Sequence, residues 1–226
     1  MEGDGVYEEQ ASTLPYVVAW RGGTPPGGGT QRILPDGCLD LIWRDGAVLV
    51  AGPNTVARVE ACVPGGRYAA LRFGAGTGPG VLGVSASELV GQRVPLDAMW
   101  PAATVRAIAE ADDPVTALTA AAKRRWQGVD RAMLALVGAA RTGLPVGLVA
   151  ERCGLSSRQL RRRSHAAFGY GPKTLHRILR MQRAIALART GRPFAAVSAD
   201  AGYADQSHLA REVRVMAGVP LSALLR

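Results

Sequence analysis

The sequence predicts an α+β protein with an antiparallel, β-rich first half and an all-helical second half. Short apolar runs separated by Gly and Pro fill residues 14–83, and helical spacing of apolar residues takes over from about residue 85. Charge divides the chain near residue 126: residues 1–126 carry 11 Lys and Arg against 13 Asp and Glu, whereas residues 127–226 carry 16 against 5, and 15 of those 16 are Arg. A boundary within Lys123–Gly128 gives two domains, residues 1–126 and residues 127–226.

In the first half the predicted strands are residues 14–20, 38–43, 47–52, 55–63 and 67–73. In the fourth, Val56, Val59, Ala61 and Val63 alternate imperfectly, as a half-buried strand does. The intervening GGTPPGGG, PDG, RDG, GPN, PGG and GAGTGPG are turn signals, and residues 22–29 read as an exposed flexible loop. Many short strands so punctuated predict an antiparallel sandwich or small barrel. Ser85-x-x-Glu88 has the form of a capping box and predicts a short helix over 85–91. Helices are predicted over 101–110 and 113–126, the second with Asp113 as cap and Pro114 at its first position.

The second half reads as helical throughout. Residues 130–141 place Met133, Leu136, Val137 and Ala140 on one face and stop at Gly143. Residues 146–153 form a short helix ended by Gly154, and LSSRQLRRR follows, capped by Ser156 or Ser157. Leu155 and Leu160 then face inward while Arg158, Arg161 and Arg162 project outward. Taken alone, that cluster is a solvated basic face. A short helix, a Gly-bearing turn and a basic second helix are, however, the helix-turn-helix pattern, in which Arg forks grip guanine edges or phosphates. The pattern recurs over 193–218. Aligning Gly154 with Gly202 sets Leu155 against Tyr203, and Leu160 against His208 or Leu209. Between the copies, Lys173–Thr190 is a helical rod of about 27 Å at ~1.5 Å per residue, against the ~34 Å of one DNA turn.

Other function classes find little support. No apolar run approaches the ~20 residues that a membrane helix needs. The opening MEGDGVYEEQ has neither a charged leader nor an apolar region, so a cytoplasmic location is expected. Cys38, Cys62 and Cys153 are too few and too irregular for a disulfide framework. All three histidines (His165, His176, His208) lie in the basic half, so a histidine metal site cannot be assembled in the first domain. No nucleophile elbow, phosphate loop or dinucleotide motif is present, and neither an enzyme nor a bound cofactor is expected.

The second half resembles the AraC-type family of bacterial transcription regulators over about residues 129–226. The resemblance is carried by Ala150, Gly154, Leu155, Ser156, Leu160 and Arg162 in the first unit, and by Arg180, Arg183 and Ala184 in the connecting helix. In the second unit it is carried by Ala201-Gly202-Tyr203, Asp205-Gln206-Ser207, Leu209, Arg211 and Gly218. It implies two recognition helices in successive major grooves of one duplex. Ser164 and Val213 depart from it where the family has core aromatics, and Pro220 stands one position early; Phe168 can fill part of the missing volume. RILPDGCLDLIW and VLGVSASEL are similar to the cupin-like N-terminal domains of some such regulators, which bind effectors or dimerise.

The expected DNA-binding set is Ser157, Arg158, Arg161, Arg162, Gln206, Ser207, His208 and Arg211, His208 being equally readable as an exposed bystander. Asp36, Cys38, Asp40 and Trp43 are candidates for an effector site, although Asp36 also suits the PDG turn and the four Trp also suit a core. Double-stranded DNA and a small-molecule effector are the expected partners, with RNA polymerase and a second copy of the chain as further ones. The alternative is a switch in which Cys38 and Cys62 sense oxidants or a soft metal and act through a protein partner; both also read as small buried residues.

Overall fold

The computed structural model describes residues 7–225, and the acidic opening, residues 1–6, lies outside them. Eight strands lead the chain: β1 Tyr7–Ala11, β2 Val17–Gly23, β3 Gly29–Ile33, β4 Leu39–Arg44, β5 Ala47–Ala51, β6 Arg58–Cys62, β7 Arg67–Phe73 and, after a break, β8 Arg93–Pro95. Six form one antiparallel sheet in the order β1-β2-β7-β4-β5-β8, and β3 pairs with β6 in a separate two-stranded sheet. Alternation along β4 sends Leu39, Leu41 and Trp43 to one face, where they meet Val17, Ala19, Val50, Leu71 and Phe73. Helices cover that face: α1 Pro79–Leu82, α2 Ala102–Ala109 and α3 Pro114–Arg125. Asp113 caps α3 through the amides of Val115 and Thr116, with Pro114 at the first position, as its sequence predicts.

Three first-half expectations change. Strands β1, β3 and β8 were not anticipated, and β3 starts inside the stretch read as loop. Over residues 55–63 the half-buried strand gives way to a shorter β6 that pairs only with β3, so Val56, Val59 and Val63 stay exposed. The 85–91 helix is only a 3-10 turn, Ala86–Glu88. Ser85 accepts the Ser87 amide, one residue short of a true capping box.

The helical half comprises α4 Arg131–Thr142, α5 Val146–Arg152, α6 Ser157–Phe168, α7 Pro172–Arg189, α8 Phe194–Ala201 and α9 Gln206–Ala217. Its apolar core is built around Met133, Leu136, Leu160, Phe168, Leu175, Ile178, Val197, Leu209 and Val213, distinct from the core of the sheet. Ser164 is fully buried yet satisfied, its hydroxyl donating to the Tyr170 carbonyl at 2.8 Å.

The two halves dock directly. Phe168 sits so close to the chain at Gly76 that a β-carbon there would stand 2.6 Å from its Cε1, and Gly76 also has φ +81°. Leu34–Cys38 lies against α7: Gln182 Nε2 donates to the Pro35 carbonyl at 2.7 Å, and Gly37 packs on Leu175 and Tyr170. Arg32 Nη1 donates to the Ala217 carbonyl at 3.0 Å, and the Ala57 amide to the Met216 carbonyl at 2.6 Å, which together hold the C-terminal end of α9. Gly76→Ala is expected to strain the backbone and push Phe168 away, costing about 2 kcal/mol. Thermal melts and the rate of proteolysis between residues 126 and 130 measure this, and both should shift toward a looser pair of domains.

Candidate nucleic-acid interface

The two helix-turn-helix units share one local plan. Gly154 (φ 61°) and Gly202 (φ 80°) take the left-handed conformation that ends the first helix of each. The next amide folds back five residues in both: Leu155 to the Ala150 carbonyl at 2.9 Å, Tyr203 to the Ser198 carbonyl at 2.8 Å. Ser156 and Asp205 then cap α6 and α9. Around Ser156 the capping box is complete, with Gln159 Oε1 accepting the Ser156 amide at 2.8 Å and Ser156 Oγ accepting the Gln159 amide at 3.2 Å. Counting from the caps pairs Leu160 with Leu209, both buried, and so settles which residue matches Leu160. It also pairs Ser157 with Gln206, Arg158 with Ser207, and Arg162 with Arg211, all exposed. The turn of the second unit is one residue longer, which explains the ambiguity in the sequence alignment.

Not every Arg on α6 is free to read. Arg163 forms a forked ion pair with Asp130, its Nε 2.7 Å from Oδ2, and Asp130 also caps α4 through the amides of Ala132 and Met133. Arg163 therefore ties α6 to α4, whereas Arg158, Arg161 and Arg162 stay exposed, with no acid paired to them among the described residues. His208 is half-buried. Its ring meets Tyr203 edge-on at 5.2 Å, and its Nδ1 accepts the Ala204 amide at 3.4 Å. It occupies the position of Gln159 and, like Gln159, braces the turn. Asp205, whose carboxylate accepts the His208 amide at 2.6 Å, is spent on the cap.

The two units are joined by α7 and by a latch between α7 and α9. Glu212 on α9 is only 8% exposed and accepts from Arg177 Nε at 2.7 Å and from Arg180 Nη2 at 2.5 Å, both on α7. Burial alone would raise its carboxyl; the two Arg hydrogen bonds outweigh burial and hold it below the ordinary glutamate range. Arg180 also stacks 4.3 Å from the centre of the Tyr203 ring and donates to the Gly202 carbonyl. The signal for this latch was present in the sequence: Glu212 is the sole acid within α9.

Of the effector candidates, Asp36, Cys38 and Asp40 lie together and Trp43 lies apart. Trp43 points into the helix-covered core, its Nε1 donating to the Ala109 carbonyl at 3.1 Å, because it lies an odd number of residues from Asp40 on β4. Asp36 shapes its turn by accepting the Cys38 amide at 2.9 Å, next to Gly37 at φ 84°. Asp40 faces away from the core. Directly opposite Arg72 in the β4–β7 register, it accepts from Arg72 Nε at 3.0 Å and from Trp20 Nε1 at 3.4 Å, and Tyr7 leans on Trp20 at 5.6 Å. Trp20 is one of the four Trp weighed for an effector pocket, whereas Arg72 was not anticipated there. Burial, then the Asp36 and Asp40 carboxylates, push the Cys38 thiol up from its usual range. Cys62 sits in the other sheet, and all three cysteines are free. Among the described residues no group of three or more His, Cys, Asp or Glu is placed to hold a metal ion, and no helix is long and apolar enough to cross a membrane.

Residues 149–226 match a family described as a helix-turn-helix domain, and residues 15–95 match a domain of unknown function. No curated protein matches the chain. Similar solved structures include ToxT from Vibrio cholerae, at 10% identity over 97% of this chain and 96% of that one, with a TM-score of 0.46. A ToxT structure bound to unsaturated fatty acid matches at 10% identity over 96% of each chain (TM-score 0.46). One bound to (E)-4-(8-methylnaphthalen-1-yl)but-3-enoic acid matches at 12% identity over 97% and 98% (TM-score 0.49).

Glu212→Gln is expected to lower stability by about 3 kcal/mol at neutral pH, since it leaves two guanidiniums facing a neutral amide. A group whose folded pKa is depressed stabilises above its unfolded pKa and loses that contribution as pH falls through the folded value. The gap between wild type and variant in denaturant melts should therefore shrink below the usual glutamate range and stay constant from pH 6 to 8.

Proposed function

Starting from an AraC-type helix-turn-helix domain at residues 149–226, carried behind a β-rich domain, we propose that the protein is a sequence-specific DNA-binding transcription regulator controlled by a small-molecule effector. The observation that carries this reading is the matched exposure of two capped helices: Ser157, Arg158, Arg161 and Arg162 on α6, and Gln206, Ser207 and Arg211 on α9. Helix α6 brings a cationic reading edge, α9 a mainly neutral one. Arg forks on α6 suit guanine edges and phosphates, whereas Gln206 suits an adenine edge. Phosphate contacts by the Arg supply salt-dependent affinity, and base-edge contacts supply the choice of sequence. His208 and Arg163 are not assigned to the DNA.

In the first domain the effector reading rests on the cluster of Asp40, Arg72 and Trp20, a charged pair beside an aromatic ring on the sheet face turned away from the core. Such a set suits a polar ligand that can trade hydrogen bonds with the Asp40–Arg72 pair. The ligand changes transcription only by binding one arrangement of the two domains better than another.

A duplex selected from random DNA by the full-length protein provides the test. Arg158→Ala with Arg162→Ala is expected to weaken binding at least tenfold at fixed salt and to lower the slope of log affinity against log salt by about 2, with helical content unchanged. Unchanged affinity in fluorescence anisotropy would remove α6 from the interface.

A further inference from the structure

Helix α6 does not stand alone at the surface. Its outer flank and the 3-10 turn Ala86–Glu88 of the first domain border an open groove of about 490 Å³, lined by Arg158, Arg161, Arg162 and His165 on one wall and by Ser85 and Ser87 on the other. The two walls are fixed to each other. A β-carbon at Gly169, just past α6, would stand 2.3 Å from Val90 Cγ2 and 3.0 Å from the Ala86 carbonyl. The Ser85 and Ser87 hydroxyl oxygens lie 2.7 Å apart, so one hydroxyl proton is spent between them and the other is free to point into the groove.

We propose that Ser85 and Ser87 are part of the DNA interface, forming with Arg158, Arg161, Arg162 and His165 a track for the sugar–phosphate strand that flanks the major groove entered by α6. This rests on the DNA-reading role of α6 and extends the contact surface to the first domain. Three guanidiniums supply charge, and a hydroxyl supplies a neutral donor, the mixture that fixes register on a phosphate backbone. A DNA strand is the occupant because the groove is open and runs beside the helix that reads the duplex. None of its lining side chains carries a buried polar atom without a partner, which a compact pocket for a free phosphate compound would supply.

The test uses full-length protein, its selected duplex and a scrambled duplex of equal length, read by fluorescence anisotropy. Ser85→Ala with Ser87→Ala is expected to weaken both duplexes by the same factor, about three- to tenfold. Ser87→Glu is expected to weaken them further, by a margin that narrows as salt rises. Unchanged affinity in both variants overturns the proposal, as does tighter binding by the double alanine variant, which would mean that the turn obstructs DNA. Calorimetry with inorganic pyrophosphate decides the remaining source: heat lost in the serine variants while DNA binding stays intact assigns the groove to a free phosphate compound and also overturns the proposal. The Arg158→Ala, Arg162→Ala protein separates this inference from the reading beneath it. Silent serine variants beside a failing arginine variant remove only the track, whereas silence in both removes α6 from DNA.

Discussion

Glu212 on the inner side of α9 receives two guanidiniums from α7, and the placement of the second helix-turn-helix unit follows from that contact. The carboxylate is nearly removed from water, and only the pairing with Arg177 and Arg180 makes its charge tolerable. An apolar contact permits sliding and rotation, but a carboxylate bonded by two guanidiniums permits little of either. Arg180 extends the restraint to the turn itself through Gly202 and the Tyr203 ring. The first unit is fixed by the comparable pairing of Arg163 with Asp130. Each unit thus spends one cation-rich contact on its own placement, and the unpaired Arg remain for a ligand.

Much of this was legible in the residues. Capping residues, left-handed glycines and helical periodicity are local, and in the second half they fix almost every helix to within a residue or two, because little there depends on distant partners. The sheet was harder to read. Strand β1 is exposed along its whole length and β8 spans three residues, so neither shows a burial rhythm; they exist because a neighbour offers unpaired backbone groups. Residues 55–63 misled for the opposite reason, since the valines there have the composition of a buried strand without a sheet to cover them.

Within the site, outward-facing residues were readable because helical geometry dictates which way they point, and Ser157, Arg158, Arg161, Arg162, Gln206, Ser207 and Arg211 are all exposed. Roles set by tertiary contact were not readable. His208 turns back onto Tyr203, Trp43 enters the core, and Arg72 becomes the partner of Asp40 only because antiparallel pairing brings residues 32 apart into register. A cap-relative count would have separated His208 from Leu209, had the extra residue in the second turn been visible beforehand.

The seating of Leu34–Cys38 on α7 has a thermodynamic consequence. That segment runs straight into β4, which carries Asp40, and it rests on the helix that both reading units share. Any free energy by which a guest at Asp40 favours one seating over another is also felt by the duplex, and reciprocity requires the duplex to change the guest's affinity by the same factor. On the proposed function, occupied operator and free protein would differ in how tightly they hold the same small molecule, and the promoter itself would take part in setting the concentration at which the signal is heard.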